Sequence, residues 1–272
     1  MIDAHQHFWR LDRGDYGWLT PALQPIYRDY LPSALEPLLK RAGIRASILV
    51  QAAPTAAETR FLLELAHAND FIAGVVGWAD FEAPDVAATI DALAVDPKLL
   101  GLRPMIQDIV DAEWMLGDAL APAYEAMIDN NLVFDALVLP KHLPHLRELI
   151  DRHPELRVVL DHGAKPPLLG GDLRAWKREI STLARETGIA CKLSGLVTEA
   201  GSADPAVLRE AVDHLLAEFG PARLMWGSDW PVCELVCSYA TWRATSETLL
   251  AQLDPHKRAL IFSDTARKTY GI

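Results

Sequence analysis

Two histidines stand two residues apart near the start of the chain, in Asp3-Ala4-His5-Gln6-His7. Alternate side chains of a β-strand share a face, so a strand over Ile2–His7 points both imidazoles the same way. Two later apolar runs end in groups of complementary chemistry. Arg157-Val158-Val159-Leu160-Asp161 leads into His162, and Arg223-Leu224-Met225-Trp226-Gly227-Ser228 leads into Asp229. Imidazole suits zinc, and a carboxylate suits zinc or a harder divalent ion. If these runs lie in one sheet, His5, His7, His162 and Asp229 form a ligand set for one divalent metal, or an acid/base hydrolytic site with Asp229 and His162 as its reacting groups. Taken singly, a histidine is more often a hydrogen-bonded structural residue. The argument rests on four such groups recurring at strand ends.

Other strand ends carry further candidates. Arg103, Lys165 and Lys192 are local positive charges able to polarise a carbonyl or hold a carboxylate, against the blander reading of rim salt bridges. Trp9, Trp78 and Trp230 offer aromatic faces to the apolar side of a sugar ring, where core packing is the default role. Asp161 is expected on the opposite face from His162, as a structural or supporting group. Asp135 is a candidate hydrogen-bond partner for a ligand histidine. His67, His142, His145, His153, His214 and His256 fall on helices or just after them and read as surface or capping residues.

What must position these groups is an alternation of short β-rich runs with longer helical ones. Strands are expected at Ile2–His7, Ala46–Gln51, Ile72–Trp78, Leu100–Arg103, Leu132–Asp135, Arg157–His162, Ile189–Leu193 and Leu224–Ser228. Between them lie amphipathic stripes. Ser33 is positioned to cap one, Thr55 and Glu58 form a capping-box pattern before a second, and the last runs from Pro255 to Tyr270. Eight strand–helix repeats in a chain of 272 residues predict a single-domain, distorted (β/α)8 barrel, for which ~250 residues is typical. A doubly wound sheet needs a Gly-rich turn after the first strand, and His5-Gln6-His7-Phe8-Trp9 occupies that place. Residues 10–30, rich in aromatics, Pro and Asp, read as a loop insertion over the barrel mouth.

Composition narrows the partners. The chain carries 26 basic against 37 acidic residues, a formal charge of −11. That excess disfavours nucleic acid and anionic membranes. No apolar run is long enough to cross a bilayer. Three cysteines without a CxxC spacing and no signal-like opening stretch predict free thiols and a cytoplasmic setting.

Four segments, in order, resemble the amidohydrolase superfamily in its amidohydrolase-2 branch. They are Asp3-Ala4-His5-Gln6-His7-Phe8-Trp9, Leu160-Asp161-His162-Gly163-Ala164-Lys165-Pro166, Cys191-Lys192-Leu193-Ser194-Gly195-Leu196-Val197-Thr198-Glu199 and Gly227-Ser228-Asp229-Trp230-Pro231-Val232-Cys233. Within the branch the chain is similar to the sugar-lactone hydrolases of the L-fuconolactonase and L-rhamnonolactonase group. The resemblance implies a small-molecule sugar lactone as substrate, opened to the aldonic acid. It implies metal ligation by His5, His7, His162 and Asp229, with one divalent ion, zinc, or a metal-free variant of the same site. Substrate contacts carried over or inferred are Arg103, Gln107, Lys165, Lys192, Trp78 and Trp230. The rival reactions are lactone isomerisation and decarboxylation of an aromatic acid; a catalytically silent sugar-binding barrel is the non-enzymatic rival.

Overall fold

A computed structural model describes residues 1–272. Eight parallel strands follow one another around one sheet: β1 (Ile2–Gln6), β2 (Ala46–Val50), β3 (Ile72–Gly77), β4 (Leu99–Leu102), β5 (Val133–Ala136), β6 (Arg157–Leu160), β7 (Ala190–Leu193) and β8 (Leu224–Trp226). All the expected runs form strands, with ends shifted by a residue or two. The ring closes just past β8, where the His7 amide donates to the Trp230 carbonyl at 2.7 Å and the Asp229 amide to the His5 carbonyl at 2.8 Å. Closure therefore brings the first strand against the segment that carries Asp229. The result is the (β/α)8 barrel the repeats predict.

Two apolar clusters hold it. The larger lies between the strands and the surrounding helices. The smaller fills the lower interior with Ile2, Ala4, Ile48, Val50, Val76, Val133, Val159 and Met225, joined from below by Ala266 and Tyr270 of the C-terminal helix Thr265–Tyr270. The interior is thus a packed core and not a pore, as barrel geometry requires. β1 spends three steps from Asp3 to Gln6 where β2 spends two from Ser47 to Leu49. This extra residue is a bulge, a device that re-aims side chains beside functional sites.

Several helix boundaries differ from expectation. The first helix, Pro32–Arg41, starts at Pro32 with Leu31 as its N-cap, so Ser33 lies inside it; Pro at the first turn costs nothing, since its missing N–H has no partner there anyway. The single helix expected over Pro255–Tyr270 is instead three pieces with a π-helical turn at Leu260–Asp264. Residues 10–30 run as a loop with one short 3-10 turn, Leu11–Arg13. Its ends are pinned by the paired Trp9 and Tyr30 backbones, 3.0 Å in both directions, and its own Leu19 and Ile26 are buried. No helix is long and apolar enough to cross a membrane.

Half of the Thr55–Glu58 capping box forms. Thr55 Oγ1 accepts the Glu58 amide at 3.0 Å. The Glu58 carboxylate, however, turns away from the helix and accepts the amides of Ala52 at 3.0 Å and Ala53 at 2.8 Å, clamping the loop after β2. Burial lifts this carboxyl from 4.5 to about 8, against the opposing pull of those amides. Between the two values the folded chain keeps a proton that the unfolded chain has lost. Stability therefore falls as pH rises through that window, by up to ~1.4 kcal/mol per pH unit from this group. Glu58→Gln is expected to flatten that slope relative to the parent protein. Denaturant titrations at both ends of the window check it; an unchanged slope would dismiss the effect.

Candidate active site

Past the bulge, His5 and His7 both face the barrel mouth. His7 Nδ1–H donates to the Val50 carbonyl at 2.8 Å. That bond fixes the tautomer and leaves Nε2 bare, the arrangement expected of a ligand histidine. His5 Nε2 and His7 Nε2 lie 3.2 Å apart. Asp229 Oδ1 completes the group, 3.2 Å from His7 Nε2 and 3.7 Å from His5 Nε2. Asp229 sits at a left-handed backbone position, φ 55°, a conformation costly for a non-glycine residue and often kept at functional sites. The bonds that close the ring hold it there.

β6 corrects one expectation. Asp161 does not point away from the site. Val159 faces the interior, so strand alternation carries Asp161 inward too, and its carboxylate lies 3.5 Å from His5 Nδ1. His162 is the residue that departs from strand geometry. Its φ of 54° and that of Gly163, 57°, turn the chain so that its ring also reaches the site, 4.5 Å from the His5 ring centre. His162 Nδ1 lies 2.8 Å from Ser194 Oγ. The turn at Gly195 (φ 68°) is what admits this ring: a Cβ there would come within 2.6 Å of His162 Nδ1.

Beneath the histidines lies a buried ionic layer. Lys192 Nζ is 3.0 Å from Asp161 Oδ1 and 3.2 Å from His5 Nδ1, and it also bonds Asp135. Tyr270 donates to Asp135 Oδ1 at 2.7 Å, and Arg103 Nη1 lies 3.3 Å from both Asp161 Oδ2 and His5 Nε2. Lys192 is therefore no substrate contact. It is wholly buried under the site, because two carboxylates hold it there. Asp135 meets Lys192 and Tyr270, not a histidine. Burial lifts the Asp135 carboxyl to about 6, with Lys192 opposing. Burial alone would also raise Asp161, yet Lys192 and His5 hold it well below its ordinary range. Burial, then the Lys192 charge, pushes His5 well down, and burial takes His162 to about 4. For Asp229, burial is outweighed by His162, His7 and His5, which hold it below the usual carboxylate range. Near neutral pH the site thus presents His5 and His162 as neutral imidazoles and an ionised Asp229.

A cavity of about 270 Å³ opens above this floor. His7, His162, Asp229, Arg103, Gln107 and Lys165 line it, while Leu23, Met105, Leu137, Val232 and Leu235 make an apolar wall. Lys165 is steadied by Glu199 at 3.4 Å. Trp78 and Trp230 do not reach this cavity. Trp230 is buried against Tyr30, ring centres 5.0 Å apart, with its Nε1–H given to Glu234 at 2.8 Å; Trp78 lines a neighbouring cavity. The aromatic wall is instead Trp18, from the inserted loop, with its Nε1–H donated to the Ala52 carbonyl at 2.7 Å. Neither Trp18 nor Asp108, which also lines the cavity, was a sequence candidate. Trp18 had only its place in an aromatic-rich insertion to mark it. Of the six histidines read as surface or capping, His142 is buried and caps, accepting the Leu139 amide on Nδ1 at 3.0 Å. All three cysteines are free thiols.

The donor set fits a divalent metal. His5, His7 and Asp229 form one group of ligand atoms within 4.8 Å of one another, and His5, Asp161 and His162 form a second. The four expected ligands thus meet through His5, with Asp161 added. His5 Nε2, His7 Nε2 and Asp229 Oδ1 converge on one point with more lone pairs than protons to share. Such an excess of lone pairs is what a cation satisfies.

A family model described as amidohydrolase matches residues 2–272. The chain is 46% identical to a Burkholderia ambifaria protein named L-fucono-1,5-lactonase, over 100% of this chain and 95% of that one. It is 39% identical to a Burkholderia multivorans protein of the same name, over 100% and 96%. A solved Burkholderia multivorans amidohydrolase with bound zinc superposes with a TM-score of 0.93 at 39% identity, covering 100% of this chain and 99% of that one.

Replacing Lys192 by Met leaves Asp135 and Asp161 buried without their cation. Breaking a buried pair in this way costs about 3–5 kcal/mol. Denaturant unfolding of Lys192→Met should show a loss of that order, and a change under ~1 kcal/mol would remove Lys192 as the keystone of the layer.

Proposed function

The chain belongs to the amidohydrolase family, and on that footing we propose that it hydrolyses the ring ester of a sugar 1,5-lactone of the L-fucono type, releasing the aldonic acid. The curated relatives bearing that activity in their names support the reading over the full chain. The observation that carries it is the state of Asp229. Its Oδ1 is engaged by the histidine pair, while Oδ2 has no hydrogen-bond partner in the protein and the residue borders the cavity. An ionised carboxylate with one free oxygen is placed to take a proton from water.

In this mechanism the lactone enters with its carbonyl over the floor of the cavity. Asp229 Oδ2 accepts a proton from the attacking water and returns it to the ring oxygen as the C–O bond breaks. Arg103 offsets the negative charge that develops on the carbonyl oxygen. Its guanidinium is held for that task by a reciprocal pair, since it donates to the Gln51 carbonyl while Gln51 Nε2 donates to the Arg103 carbonyl at 2.6 Å. His162 and Lys165, on the same wall, orient substrate hydroxyls, and Gln107 contributes Oε1, which is buried without a partner. The apolar wall of Leu23, Val232 and Leu235 suits the methyl group of a 6-deoxy sugar better than a hydroxymethyl, whose hydroxyl would lose its hydrogen bonds there. Zinc, held by His5, His7 and Asp229 with His162 and Asp161 beside them, would act when bound as a Lewis acid on the carbonyl.

Asp229→Asn keeps the shape and removes the base. It should lower kcat by about 10²–10⁴-fold or more with little change in the melting temperature. Turnover near that of the parent enzyme would take Asp229 out of this role. In ¹⁸O-labelled water, hydrolysis puts one solvent oxygen into the acid product, whereas an acyl shift between hydroxyls gives none. A chelator should depress the rate and zinc restore it; full activity after verified metal removal would exclude the metal's part.

A further inference from the structure

One aromatic face singled out by the sequence is not used by the reaction. Trp78 lines a second cavity of about 250 Å³ on the same rim of the barrel, together with Phe81 and Trp114. Its walls come from the loops after β2, β3 and β4, the end of the barrel where the catalytic cavity opens. The two cavities share Met105 and Asp108 as a common wall. The aromatic side is built. Trp78 is anchored through its backbone, its amide donating to Thr59 Oγ1 at 2.8 Å and its carbonyl accepting from the same hydroxyl at 2.9 Å. Phe81 packs against Trp114 with ring centres 6.3 Å apart. Trp114 Nε1 is buried with no hydrogen-bond partner, which is costly unless something outside the chain accepts its proton.

The charge of the lining is one-sided. Asp80, Glu82 and Asp108 border the cavity, no lysine or arginine does, and none of the three carboxylates is in an ion pair. Carboxylates without cations accept hydroxyl protons and repel anions. Aromatic faces beside them take the apolar side of a ring. Aromatic planes with hydroxyl acceptors, next to a lactone site, suit one ligand class best.

We propose that this cavity is a second sugar subsite, which takes a neutral pyranose ring carried on the lactone that the neighbouring site opens. It rests on the lactonase reading for the ring next door, and it extends the substrate class from simple aldonolactones to glycosylated ones. Uronic-acid rings are excluded by the three carboxylates. Met105 and Asp108 stand where the linkage between the two rings would pass.

Calorimetry on the intact zinc-loaded protein tests it with three probes: methyl β-galactopyranoside, methyl β-glucuronide and tetramethylammonium. The neutral pyranoside should bind saturably and should not compete with L-fucono-1,5-lactone in the hydrolysis assay. The glucuronide should bind far more weakly. Trp114→Ala should weaken pyranoside binding by about ten-fold, and Glu82→Gln, at an exposed position with no packing role, should weaken it in a protein whose fold is not in question. The proposal is overturned if the neutral pyranoside gives no heat, if it competes with the lactone, if both variants bind it unchanged, or if the ammonium ion is the only ligand. Failure to open any lactone, with pyranoside binding intact, would sink the catalytic reading and leave the subsite standing.

Discussion

The site depends on one buried cation. Lys192 lies within the barrel, between Asp135 and Asp161 and beneath His5. Charges so deeply placed persist only when paired and hydrogen-bonded. Here each partner has a second duty. Asp135 also receives Tyr270, so the C-terminal helix is tied to the middle of the barrel. Asp161 also meets Arg103, so a guanidinium that lines the cavity is tied to the same layer. The layer separates the apolar plug below from the polar chemistry above, and it fixes the height at which the histidines stand.

Ring closure does the rest. Strands one and eight do not meet along a regular ladder. They are joined past the end of β8, through the His7–Trp230 and Asp229–His5 backbone bonds. Asp3 reinforces the seam by accepting the amides of Ser228 at 2.8 Å and His5 at 3.2 Å, with Tyr239 donating to its other oxygen at 3.0 Å. The first and last candidate residues thus meet because the seam of the barrel is itself the candidate site. Gly227 permits that approach, since a Cβ there would come within 2.7 Å of the His5 Cβ.

Most of the frame was legible in the sequence because barrel strands are short, apolar and regularly spaced, and alternation carries His5 and His7 to one face. Legibility fails where the backbone leaves strand geometry. Alternation applied through β6 assigns Asp161 and His162 to opposite sides, but the left-handed turn at His162 and Gly163 brings both inward. A Gly after a histidine hints at such a turn without specifying it. Lys192 stood at a strand end like Arg103, and both are buried; only the position of Arg103 in the cavity wall separates them. Aromatic positions were the least readable. Trp78 and Trp230 follow strands and Trp18 does not, yet Trp18 reaches the cavity beside the histidines because a loop folded by its own packing lays it there. Nothing in the local pattern encodes that reach.

The charge balance acquires a meaning only with the site in place. A sugar lactone is neutral, and the acid it becomes is an anion. Over the whole surface the chain carries −11, so its long-range field does not attract the product. Inside the cavity Arg103 and Lys165 balance Asp108 and Asp229, and on the proposed reading the two cations favour the negative charge forming on the carbonyl oxygen. Lys165 is already paired with Glu199, and Arg103 with Asp161, so neither offers a free cation for a carboxylate to rest on. On the proposed chemistry these two features act together. The cations are positioned to offset charge in transit, their partners keep them from holding it afterwards, and the acidic exterior favours its departure.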